Sequence, residues 1–168
     1  ILKDAASKKL DPKSDQAKSV SVYQTYMDTI SRNKLGIKPI KPYLAKINAI
    51  KTAQDVNNLL IEMEPVGGIG FYGIGVGADA KDSNKNVAYL GLGSLGLPDR
   101  EYYVSDDKDS KEKREKYVQH VTRMLQFLGT NPAQAKLDAD KILALEIAMS
   151  KPRFDRVELR DDRKTYNP

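Results

Sequence analysis

The sequence contains no cysteine and one histidine, His120. The first absence excludes disulfides and thiolate metal sites. The second excludes every metal site that needs two imidazoles. No apolar run approaches the ~20 residues required to cross a bilayer, so no membrane contact is expected of this segment. The opening Ile1-Leu2-Lys3-Asp4 leads straight into polar sequence and does not read as a signal peptide. Together with the close on Asn167-Pro168, it reads as a piece cut from a longer parent. No sign of charge dominates: 28 Lys and Arg stand against 23 Asp and Glu, for a net +5. The signs alternate within Lys108-Asp109-Ser110-Lys111-Glu112-Lys113-Arg114-Glu115-Lys116, which describes a solvated helix face rather than a nucleic-acid stripe.

What is present is enough for one domain with a core: 168 residues, 40% hydrophobic and 30% charged, in proportions that favour helix. Residues 1–13, polar and Lys-rich with Pro12, read as a linker-like start. A helix fits Asp15 to Lys34 with the stripe Tyr23, Tyr26, Met27 and Ile30. Gly36 stops it, and a short helix with Tyr43, Leu44, Ile47 and Ile50 follows Pro39 and Pro42. Thr52 and Asp55 form the pattern of a capping box before a helix over Ala53–Glu64, with Val56, Leu59, Leu60 and Met63 facing inward.

The pattern then changes. Glycines at 67, 68, 70, 73, 75 and 77 alternate with Ile69, Phe71, Tyr72, Ile74 and Val76, and a second strand-like run covers Asn86–Leu92. The polar cluster Asp79–Lys85 between them makes a hairpin. After Leu97-Pro98-Asp99-Arg100-Glu101-Tyr102-Tyr103, a helix over Ser110–Leu128 carries Tyr117, Val121, Met124, Leu125 and Leu128. Asn131-Pro132 opens a last helix to Ser150, with Leu137, Ile142, Leu143, Leu145, Ile147 and Met149. Residues 151–168 form a charged tail. The fold class expected is mainly α with one β-hairpin (α+β): about five amphipathic helices around a glycine-rich two-stranded antiparallel hairpin, in a single domain over 1–168.

Few residues suggest chemistry. Two G-x-G-x-x-G matches fail the context of a dinucleotide site, a strand before and a helix after: Gly68–Gly73 follows a helix and runs into a strand, and Gly91–Gly96 is followed at once by Pro98 and a turn. Their glycines read instead as points of close approach by another backbone or a large side chain. His120 has no neighbouring Glu and no second His. The pairs Asp106-Asp107 and Asp161-Asp162 sit on adjacent positions that do not face each other, and Asp79, Asp82 and Asn84 read as a turn rather than a calcium loop. Glu146 interrupts an apolar run and calls for a partner, with Arg153, Arg156 and Arg100 the candidates for a structural ion pair. No catalytic, metal-binding or cofactor-binding residue is nominated.

The run Gly96-Leu97-Pro98-Asp99-Arg100-Glu101-Tyr102-Tyr103 resembles the segment after the hairpin in neprilysin-type zinc metallopeptidases, a family that includes the endothelin-converting enzymes and bacterial oligoendopeptidases. Tyr23-Gln24-Thr25-Tyr26-Met27-Asp28, Gly36-Ile37-Lys38-Pro39, Asp79–Ser83, Leu145–Ala148 and Asp162–Pro168 resemble further landmarks in the same order, so the likeness spans nearly the whole chain. Tyr26 stands where the secreted animal members have a disulfide Cys. The resemblance implies a parent protease, a zinc hydrolase with a mostly helical two-domain cage. It implies that an H-E-x-x-H motif and a later Glu bind zinc, that the motif Glu activates water, and that an Asn-Ala-Tyr/Phe segment holds the peptide substrate. All of these lie downstream of the region matched, so zinc belongs to the parent and none is expected on this piece. Partners implied are the catalytic domain of the same chain and a peptide substrate, with no nucleic acid. A bacterial member, periplasmic, envelope-bound or secreted, is the family-level expectation. The competing reading is a stand-alone helical module that binds protein or peptide without catalysis. A nucleotide-binding enzyme would rest on the glycine motifs alone.

Overall fold

The computed structural model describes residues 1–67 and 70–167, so Gly68 and Ile69 of the first glycine motif lie outside the described residues. The chain divides into two compact units, Ile1–Ala53 and the part from Gln54 onward.

In the first unit, α1 (Leu2–Ala6) packs on α2 (Asp15–Met27), then α3 (Thr29–Leu35) and α4 (Lys41–Asn48) follow. The single helix expected over Asp15–Lys34 is two helices, broken at Asp28. The reason is local. The Asp28 carboxylate accepts the Ser31 N–H at 2.9 Å, capping a new helix instead of continuing the old one. Ser14 caps α2 in the same way through Ala17. Because of the break, the stripe of Tyr23, Tyr26, Met27 and Ile30 does not form one buried face. Tyr23 is half-buried, Ile30 is 81% exposed, and Val20 is the buried residue of α2. Gly36 ends α3 at φ 53°, a backbone conformation that favours glycine.

The second unit opens with α5 (Ala53–Met63), which buries Leu59, Leu60 and Met63. The hairpin follows as β1 (Tyr72–Ala78) paired antiparallel with β2 (Asn86–Leu92), in register Tyr72↔Leu92 to Ala78↔Asn86. Its turn is held by the Asp79 carboxylate, which accepts the Lys81 N–H at 2.7 Å, and by the Asp79 N–H, which donates to the Lys85 carbonyl at 2.8 Å. The short helix α6 (Glu101–Val104) packs on both α7 (Lys108–Phe127) and α8 (Pro132–Ser150), which pair with each other. Asp107 and Asn131 cap these long helices through Ser110 and Gln134. A 3-10 turn over Glu158–Arg160 and α9 (Asp162–Thr165) complete the described chain.

The expected fold class stands: helices dominate and the described residues contain one two-stranded sheet. The inward face of α8 differs from the large-residue pattern. Ala135, Ala139 and Ser150 are fully buried, whereas Leu137 and Leu145 are exposed. Ala135 and Ala139 stand at the i, i+4 spacing of one helix row, which lets another helix approach closely. Glu146 belongs to that row.

Candidate functional site

The most organised polar site lies where the loop after β2 meets α6, α7 and α8. Tyr103, 3% exposed, sits on α6 with its hydroxyl between two partners. It accepts the Leu97 N–H at 2.6 Å and donates to Glu146 Oε2 at 2.9 Å. Glu146 Oε1 accepts the Gly96 N–H at 3.0 Å. One carboxylate on α8 therefore fixes two points of the Gly96-Leu97 loop, one of them through a tyrosine. Hydrogen bonds to a carboxylate are stronger than neutral ones, which suits a loop with no secondary structure of its own.

This corrects the partner expected for Glu146. It meets tyrosine and backbone rather than arginine, because the helix row that carries it faces α6. Arg156 pairs with Asp99, and Arg100 Nη1 with Glu101 Oε1 at 2.8 Å. Burial raises the Tyr103 hydroxyl above its ordinary pKa, the Leu97 N–H acts in the opposite sense, and the Glu146 carboxylate adds to the rise. Tyr117 on α7 is pushed up to about 12, by burial first and by Glu146 next. Both tyrosines are neutral hydrogen-bonding groups, and the arrangement anchors a loop without presenting an activated nucleophile.

Of the glycines of Gly91–Gly96, Gly93 and Gly96 have the role the sequence suggested, whereas Gly91 faces open space. A Cβ on Gly96 would collide with the Tyr117 hydroxyl, and one on Gly93 with the Gly70 carbonyl oxygen. Asp99 accepts the Glu101 N–H at 3.0 Å at the start of α6. Arg114 of α7 donates to the carbonyls of Tyr102 at 2.6 Å and Ser105 at 2.9 Å. The Pro-Asp-Arg-Glu-Tyr-Tyr run is thus a tertiary knot. Sequence reasoning singled out the run and Glu146 separately and missed that they meet. The tyrosine pair beside a proline turn was the available signal.

The remaining residues weighed earlier are dispersed. His120 is exposed on α7. Asp107 accepts from Ser110 Oγ at 2.7 Å and from Ser105, which hold its carboxyl well below the usual range. Asp161 caps α9 and pairs with Arg163 at 3.0 Å. Among the described residues no group of three His, Asp or Glu side chains gathers where it could hold a metal ion. No described helix is long and apolar enough to cross a membrane.

The family model of peptidase family M13, N-terminal region, matches residues 1–168. The chain belongs to that family. It is 25% identical over 167 residues to Neprilysin-3 of Drosophila melanogaster, covering 93% of this chain and 21% of that protein. It is 29% identical over 98 residues to endothelin-converting enzyme 1 of Cavia porcellus, covering 58% of this chain and 13% of that protein. Among solved structures it resembles the zinc metalloprotease Zmp1 of Mycobacterium tuberculosis in complex with an inhibitor, with a TM-score of 0.83, 26% identity, and coverage of 99% of this chain and 25% of that one. PepO of Lactobacillus rhamnosis shares the fold at a TM-score of 0.78 and 18% identity, with 94% and 25% covered. The chain spans about a fifth of the length of Neprilysin-3 and less of endothelin-converting enzyme 1.

Proposed function

We propose that this chain is a non-catalytic portion of a zinc-dependent metalloendopeptidase, forming part of the helical wall of a substrate chamber whose zinc site lies elsewhere in the parent. The observation that carries the reading is the family match along the whole chain, joined to a surface unlike that of a finished domain. The hairpin residues Ile74 and Leu90 face each other across the strands and are 60% and 74% exposed, and Val76 beside them is 77% exposed. Apolar groups gathered on one face of a two-stranded sheet need cover, since such a sheet is marginal alone. The partner that covers them is the catalytic part of the same parent, and the substrate is a peptide. Family likeness further supports a bacterial enzyme of the periplasm, envelope or exterior. None of the residues 1–168 is assigned a catalytic or metal-binding role.

The test is peptide hydrolysis by the full-length gene product. Activity abolished by a chelator and restored by zinc is expected. A product that binds peptides without cleaving them under any metal condition would overturn the reading and leave the stand-alone binding module in its place.

A further inference from the structure

Beside the knot, outside the Glu146 contacts, lies a cleft of about 380 Å³. Its lining combines apolar Leu92, Phe154 and Leu159 with Arg100, Arg153 and Arg156. A shallower second lobe shares Leu92, Arg100 and Arg153 and runs along Gly93-Ser94-Leu95. The cations are unevenly satisfied. Arg156 has Asp99 and Arg100 Nη1 has Glu101. The Arg100 Nε–H is buried without an acceptor, and the Arg153 guanidinium has no hydrogen-bond or ion-pair partner among the described residues. A buried donor left unmade is costly, and a guanidinium presents paired N–H groups that match a carboxylate.

We infer that this cleft is a docking site for an Asp or Glu carboxylate, flanked by an apolar side chain, from a segment of the parent polypeptide outside residues 1–168. The inference deepens the proposed function and rests on it, because it takes the chain to be one part of a longer protein. Charge complementarity favours a carboxylate at one point: Arg156 meets Asp99, Arg100 meets Glu101 and lies within electrostatic reach of Asp155, and Arg153 is the cation left unmatched. The length of the relatives supplies the source, since the chain covers only 21% of Neprilysin-3 of Drosophila melanogaster. The apolar lining gives the flanking side chain a place to leave water beside the ion pair.

The experiment uses the full-length protein in two forms. In Arg153→Lys, the amine is placed in the cleft and carbodiimide is added to couple it to any carboxylate within contact. Peptide mapping is expected to find residue 153 joined to an Asp or Glu outside residues 1–168. Coupling only to acids within residues 1–168, or no coupling, overturns the proposal. In the unsubstituted protein, phenylglyoxal is expected to modify Arg153 about tenfold more slowly in the native than in the denatured state, as for a group reached only through local opening. Equal rates overturn the proposal even if the substituted protein folds poorly. Peptidase activity of the same preparations reports separately on the parent reading: zinc-dependent hydrolysis with no coupling removes the docking site alone.

Discussion

At the residue scale, the chain depends on positions where a few atoms decide the packing. Gly96 is one, because Tyr117 occupies the space a Cβ would need. In the full-length protein Gly96→Ala should cost roughly 1–3 kcal/mol, the usual range for overpacking. The cost should shrink when Tyr117→Ala is present, as contacting sites couple. Denaturant unfolding of the two single variants and the double variant checks this, and additive losses would contradict the contact. Tyr103 and Tyr117 also set a behaviour in alkali. Both hold their protons to higher pH when folded, Tyr117 to about 12 against an ordinary 10.0. The folded state therefore binds more protons than the unfolded one above pH 10, and its stability falls as pH rises from there toward 12. Below pH 10 this contribution is fully present. Unfolding followed at stepped pH should show the decline, and Tyr117→Phe should flatten it. An equally steep curve in that variant would remove Tyr117 from the account.

At the scale of elements, α8 packs on its neighbours with small residues buried. Ala135 and Ala139 are fully buried, and replacing Ala139 by Leu should cost roughly 1–3 kcal/mol, read from the denaturant midpoint of the full-length protein. An unchanged midpoint would show that the helices have room to part. The same residues explain what the sequence revealed and what it concealed. The last long helix was legible from Asn131 and Pro132 at its start, and α7 from its apolar stripe, whereas the Asp107 cap that starts α7 two residues before the expected Ser110 was not. The hairpin was legible from alternating glycine and apolar residues around a polar turn. The packing face of α8 was not, because Ala135, Ala139 and Ser150 carry little hydrophobic weight while the larger Leu137 and Leu145 point to solvent. The break at Asp28 escaped notice because an acidic residue is compatible with a helix interior and only its side-chain bond to Ser31 makes it a cap. The Glu146 site needs contacts 43 and 50 residues apart, a separation that periodicity cannot see.

For the whole molecule, the exposed apolar residues predict how the chain behaves when separated from its parent. Expressed alone, residues 1–168 should bind a hydrophobic dye and associate reversibly, whereas the full-length protein should do neither. Sedimentation at several concentrations with parallel dye fluorescence tests this. A monomeric, dye-silent fragment would mean that these faces need no cover. One contact reaches further along the chain. The Tyr166 hydroxyl lies 3.2 and 3.1 Å from the two Asp79 carboxylate oxygens, and the Lys81 amine stands 4.1 Å from the centre of the tyrosine ring. The turn of the hairpin is thus clasped by a residue 87 positions later. During synthesis at roughly 5–20 residues per second, those 87 residues take about 4–17 s to appear. The clasp therefore cannot close until that interval has passed, so the native turn is complete only once nearly the whole of this chain has been made.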